Sequence, residues 1–122
     1  DYLAFLLKYK GDWSSLKIAM DVSNGMASLF VRDIFGDQPA YIYEEMDGRF
    51  PNHEPNPLVQ KNVEDLKKLV AKTGADIGVI FDGDADRVMF VDENSRFISP
   101  DLMIAVLGHY FLEERGGRGY IH

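Results

Sequence analysis

Six residues, Asp82-Gly83-Asp84-Ala85-Asp86-Arg87, constrain this chain more than any other stretch: three carboxylates at alternate positions, set between the apolar runs Ile77 to Phe81 and Val88 to Val91. In an extended strand, alternate side chains share a face but lie roughly 6.5 Å apart, too far for three oxygens to meet one small cation at about 2.1 Å. The segment therefore has to curl. Gly83 and Ala85 resist curling little, and Gly83 is free to adopt positive φ. Three neighbouring carboxylates repel one another and raise each other's pKa unless a cation joins them. The pattern reads as a cation site on Asp82, Asp84 and Asp86.

The absence of cysteine narrows the chemistry. Thiolate metal sites and disulfide frameworks are excluded, which leaves Mg²⁺ or Ca²⁺ on oxygen ligands and an expected cytoplasmic location. Twenty acidic side chains against 13 Lys and Arg, a net charge of -7, disfavour a nucleic-acid footprint. No stretch approaches the ~20 apolar residues of a membrane span, so no membrane partner is expected. At 122 residues with 46% hydrophobic content, one compact domain is expected. The chain begins without Met, directly in a helical pattern, as expected of a piece of a longer protein.

Along the chain, Leu3, Leu6 and Leu7 predict a helix over Asp1 to Tyr9, and Leu16 to Met20 a short buried strand that runs into Asp21. Ser23, Asn24 and Gly25 then mark a strand-to-helix turn, either an ordinary N-cap or a set of free N–H groups for an anion. Met26, Leu29, Phe30 and Ile34 predict a core-facing helix up to Gly36, and Tyr41 to Glu45 a second strand. Three prolines between Asp47 and Pro57 predict an ordered extended loop. Its His53 reads as a hydrogen-bonded structural group, at most a supporting residue behind the site. Val59, Val63, Leu66, Leu69 and Val70 predict a helix ended by Gly74. Ile77 to Phe81 is an apolar strand that delivers Asp82 at its carboxyl end, where open α/β sheets bind ligands.

Val88 to Val91 and Arg96 to Ser99 predict a hairpin around the polar turn Asp92-Glu93-Asn94-Ser95. Pro100 opens a helix that continues through Leu102, Met103, Val106, Leu107 and Tyr110 toward Glu114. Gly116, Gly117 and Gly119 read as a terminator and linker, and Tyr120 to His122 as the start of a further strand.

Three readings of the acidic loop follow from the residues alone. Asp82, Asp84, Asp86 and Glu93 occupy positions 1, 3, 5 and 12 of an EF-hand, a non-catalytic Ca²⁺ module, but Arg87 stands where that loop needs Gly, and the flanks read as strands. A haloacid-dehalogenase-like phosphatase would use Asp82 as nucleophile and Asp84 as acid. A solvated acidic turn without a ligand is the third.

A fourth comes from resemblance. Asp82 to Arg87 resembles the metal loop of the α-D-phosphohexomutase superfamily, the phosphoglucomutases and phosphomannomutases. Asp21 to Ala27 resembles the same family's D-x-x-N-G-x-A turn, and Asp47 to Pro57 its D-G-x-F-P-x-H-x-P-N-P segment, in the order and spacing of its second domain. The resemblance implies a three-layer α/β/α fold with a mixed four-stranded sheet, one strand antiparallel, over residues 1–116, followed at 117–122 by a linker and the start of the next domain. It implies a mutase that interconverts hexose 1-phosphate and hexose 6-phosphate through a phosphoserine enzyme and a bisphosphate intermediate. Mg²⁺ would sit on Asp82, Asp84 and Asp86. Three carboxylates and one dication sum to a net negative site, so a fixed cation is needed, and Arg87 is the expected phosphate contact. None of the serines here stands in the nucleophile's motif. The phosphoserine and the other domains are expected outside these residues, and the chain alone is expected to be inactive.

Overall fold

Ile18–Asp21 forms strand β1, and all four of its residues are buried. Such a strand has both faces covered, which matches its unbroken apolar run. In the computed structural model, which describes residues 1–114, β1 lies second in a five-stranded sheet of order β2-β1-β3-β4-β5. The other strands are β2 (Ala40–Ile42), β3 (Ile77–Phe81), β4 (Val88–Asp92) and β5 (Phe97–Ile98). β1 pairs in parallel with both β2 and β3, whereas β4 runs antiparallel to β3 and to β5. A single strand, β4, thus opposes the rest. The expected four strands become five because Phe97 and Ile98 pair with Val91 and Phe90.

Alternate residues of β1 feed two core layers. Ala19, with Ile80 and Val91, meets Val63, Leu66 and Val70 of helix α3 (Gln60–Thr73) on one face. Ile18 and Met20, with Val79, meet Trp13 and Phe35 on the other. That second layer continues into Val22, Ala27 and Val31, beneath a 3₁₀ turn (Met26–Leu29) and helix α2 (Val31–Phe35). Numbering the helices in chain order, α1 is the short Tyr2–Leu7, capped by the Asp1 carboxylate on the Leu3 N–H. α3 ends as its sequence requires: Gly74 is left-handed (φ 63) and its N–H bonds the Val70 carbonyl. Gly78, the interruption in the β3 run, has a packing reason. A Cβ there would lie 2.7 Å from Val70 Cγ2 and 3.1 Å from Leu66 Cγ, so only glycine lets α3 approach this closely.

Several expectations shift. The helix expected over 26–36 is broken at Phe30, whose φ of -135 leaves the helical region. The break changes the phase, so Ala27 and Val31 are buried while Met26 and Leu29 lie exposed. The second strand ends at Ile42, because Tyr43 takes φ 56 and turns the chain away. Val59 is the cap position of α3 and is exposed. Helix α4 (Pro100–His109), capped by the Ser99 hydroxyl on the Leu102 N–H, passes into a π-helical turn (Tyr110–Glu114). No residue of α4 is buried. The glycine-rich linker and the strand expected at Tyr120 to His122 lie outside the described residues. Among the described residues, no helix is long and apolar enough to cross a membrane.

Candidate metal centre

The acidic segment links the carboxyl end of β3 to β4 and curls as the sequence demands. Its positive φ falls on Ala85 (φ 61) and not on Gly83. Gly83 instead lies close under the proline-bearing loop: a Cβ there would lie 3.3 Å from Pro55 Cγ and 3.4 Å from Phe50 Cζ. The curl brings one carboxylate oxygen each of Asp82, Asp84 and Asp86 within 4.8 Å of one another. Asp82 is wholly buried, and Asp84 and Asp86 are exposed.

Arg87 closes the loop. Its backbone N–H donates to Asp82 Oδ1 at 3.1 Å and its Nε to Asp82 Oδ2 at 2.8 Å, while the Asp82 N–H donates to the Arg87 carbonyl at 3.2 Å. Asp86 Oδ1 lies 3.6 Å from the same Nε. Among the described residues, nothing bonds the Arg87 Nη groups. The carboxylates split in their titration. Burial pushes Asp82 up, but the Arg87 N–H, its guanidinium and a hydrogen bond from Asp86 together hold it below the usual range. That same hydrogen bond to Asp82, with the Asp84 charge, pushes Asp86 up. Crowding of three carboxylates thus favours the charged form at buried Asp82 and disfavours it at Asp86. An all-oxygen donor set with one buried and two accessible ligands fits a hard divalent cation.

The other two segments quoted above converge on this loop. In the turn after β1, the Met26 N–H donates to the Gly83 carbonyl at 2.9 Å. A Cβ on Gly25 would lie 2.7 Å from that carbonyl oxygen. The turn therefore meets the acidic loop backbone to backbone. Its N–H groups are all used: Asn24 on the Tyr43 carbonyl, Gly25 on the Val22 carbonyl, Met26 on Gly83. No anion cradle is left, and Gly25 caps without a side chain. From the proline-bearing loop, Asn52 Nδ2 donates to Asn24 Oδ1 at 2.8 Å. His53 Nε2 lies 2.9 Å from Asp21 Oδ2. The hydrogen bond to Asp21, against the opposing effect of burial, raises the His53 pKa. The sequence marked His53 as a supporting group but gave no sign that Asp21, 32 residues away, is its partner.

A family model described as phosphoglucomutase/phosphomannomutase, alpha/beta/alpha domain II, matches residues 1–95. The chain belongs to this family. Phosphohexose mutases of Xanthomonas campestris pv. campestris are 36% identical over 126 aligned residues, which cover 99% of this chain and 28% of that protein. A phosphopentomutase of Thermococcus kodakarensis is 33% identical over 96% of this chain and 26% of its own length. Among solved structures, a phosphoglucomutase/phosphomannomutase family protein of Burkholderia thailandensis superposes with a TM-score of 0.82 at 28% identity, over 93% of this chain and 26% of that one. The chain thus spans about a quarter of the length of the curated relatives it matches. Mutases of this kind are phosphotransferases, and the family carries a divalent metal ion. The other readings of the loop lose ground: its flanks are β3 and β4, not the helices of an EF-hand, and the family match covers the loop itself.

Proposed function

We propose that this chain is the metal-bearing second domain, residues 1–116, of a phosphohexomutase that interconverts hexose 1-phosphate and hexose 6-phosphate through a phosphoserine enzyme and a bisphosphate intermediate. The observation that carries the proposal is the convergence of three carboxylate oxygens within 4.8 Å at the carboxyl end of a central strand, with an arginine closing the loop. In this reading, Asp82, Asp84 and Asp86 hold Mg²⁺, which when bound supplies electrostatic stabilisation of a phosphoryl group in transfer. The chain's own contribution is charge and orientation. Buried Asp82 anchors the loop, Asp84 and Asp86 present oxygens at the surface, and Arg87 offsets the remaining negative charge. Its unbonded Nη donors suit phosphate oxygens, which arginine recognises in a two-pronged geometry.

The phosphoserine and the sugar-recognising groups belong, in this proposal, to other domains of the same chain, with residues 117–122 as the passage to the next. A cytoplasmic setting, resting on the cysteine-free sequence, is part of the same reading. The test is an assay of the full-length protein on glucose, mannose and amino-sugar 1-phosphates, with pentose phosphates included because one relative carries that name. Metal-dependent conversion of a hexose 1-phosphate to its 6-phosphate, absent from the isolated chain, is the expected result. No conversion of any hexose phosphate would overturn the proposal.

A further inference from the structure

Among the described residues, Asp21 and Asp82 are the two buried carboxylates. They stand at the carboxyl ends of adjacent strands, β1 and β3, and the proposed chemistry uses only Asp82. Asp21 is tied to the loop by a short chain of bonds. Its Oδ2 pairs with His53 Nε2 at 2.9 Å, and its Oδ1 accepts the Ser23 N–H at 2.8 Å. The Ser23 hydroxyl donates to the Phe81 carbonyl at 2.7 Å. That carbonyl belongs to the peptide whose N–H, on Asp82, donates to Arg87. The plane that leads into the anchoring ligand is therefore held from both sides, by Ser23 and by Arg87.

Two further observations give this arrangement a purpose beyond packing. Nδ1 of His53 lies 2.8 Å from the Glu54 carbonyl, and Nε2 faces the Asp21 carboxylate. A carbonyl and an ionised carboxylate only accept, so both ring nitrogens carry protons and His53 is an imidazolium. A charge pair is thereby placed where His53 is only 8% and Asp21 0% exposed in its side chain, a location that costs desolvation of both ions. Next to it, Ser23 and Asn24 both take φ 53. Left-handed backbone is disfavoured for a residue that carries a Cβ, and it persists where surrounding groups over-determine it. Here those groups are Asp21 on the Ser23 N–H, the Tyr43 carbonyl on the Asn24 N–H, and Asn52 and the Glu45 carbonyl on the Asn24 side chain.

We infer that His53 and Asp21 are positioning residues for the metal loop: their ion pair locks Ser23 in its left-handed conformation, so that its hydroxyl sets the Phe81–Asp82 peptide and thereby the anchoring metal ligand. The inference rests on the metal reading proposed above. It makes metal affinity depend on the charge of His53. The groups that face His53 are Asp21 from β1, the Tyr43 ring at 5.4 Å from the end of β2, Asp65 from α3, and the Glu54 carbonyl of its own loop. Tyr43, pushed up to about 12 by burial and its bond to Asp65, stays neutral. Lys68 pairs with Asp65 on the far side. The imidazolium is therefore retained above the usual histidine range and lost as pH rises through that raised value. Mg²⁺ affinity then falls on the alkaline side, opposite to the usual rise as metal ligands deprotonate.

The experiment is calorimetric titration of Mg²⁺ into the full-length protein, wild type, Ser23→Ala and His53→Gln, well below and well above the His53 transition, with circular dichroism to check that each variant is folded. Ser23→Ala, which removes only the hydroxyl, is expected to weaken Mg²⁺ about tenfold, the lower end of the effect of groups that orient metal ligands. It should also abolish the alkaline decline. His53→Gln keeps a donor near Asp21 without a charge and should bind equally at both pH values. A folded Ser23→Ala variant with wild-type affinity and wild-type pH dependence would overturn the inference while leaving the metal site standing. A wild type that binds no Mg²⁺ at either pH would instead overturn the metal reading, and the inference with it.

Discussion

Arg87 divides its guanidinium between two tasks. Nε satisfies the buried Asp82, and in the proposed function the Nη groups meet phosphate. The first task is a stability term. Without the guanidinium, Asp82 keeps one N–H partner for a buried charge, and loss of a hydrogen bond to a charged group costs about 1.5–3 kcal/mol. Arg87 is itself half exposed, so the lower end applies. Arg87→Gln should therefore lower the urea unfolding free energy of the metal-free protein by about 1.5 kcal/mol, and the loss should shrink when Mg²⁺ is added, since a dication would replace the missing positive charge. The sign with pH is fixed. The folded Asp82 carboxyl lies below its ordinary value, so its contribution is present above about pH 3.9 and is lost as pH falls through the folded value. Arg87→Gln should diminish that acid loss, which urea titrations carried from neutral pH to well below about pH 3.9 would measure.

Among the elements, close approach between α3 and β3 is the contact most exposed to a single atom. Gly78→Ala places its Cβ 2.7 Å from Val70 Cγ2, and relief of such overpacking costs about 1–3 kcal/mol. The expected result is a lower urea midpoint with unchanged Mg²⁺ binding, because Gly78 stands near the start of β3 and the acidic loop follows its other end. The elements readable in the sequence were those with a single uninterrupted period. α3 carries Val63, Leu66 and Val70 on one stripe, and β1 and β3 are apolar runs of strand length; each was found within a few residues. Failure came where the period was broken. The break at Phe30 moved the buried face from Met26 and Leu29 to Ala27 and Val31, and no residue type announces that φ. The hairpin strand expected over Arg96 to Ser99 is present as β5, shortened to Phe97 and Ile98. For the site, the acidic triad was readable because its three carboxylates are local in the chain. The Asp21 to His53 pair and the contact of Gly25 with Gly83 depend on how β1 lies beside β3, which spacing along the chain does not encode.

For the molecule as a whole, the sheet and α3 form the core, and α4 stands apart from it. Leu102, Ile104, Val106 and Leu107 are each about half exposed, although the helix is well capped. Ordinary surface positions change stability by less than about 0.5 kcal/mol. Ending the chain after Ser99 should therefore leave the urea midpoint of the remaining domain nearly unchanged. A large fall in the midpoint, or loss of cooperative unfolding, would show that α4 belongs to the folding unit.

The central claim is that the curl after β3 is a metal site, and Asp84 tests it most directly, since it is exposed and its removal disturbs no core contact. Calorimetric titration of Mg²⁺ into the full-length protein should give saturable binding to wild type. Asp84→Asn should bind on the order of tenfold or more weakly, with its thermal transition unchanged. Equal and negligible heats in the two proteins would contradict the account.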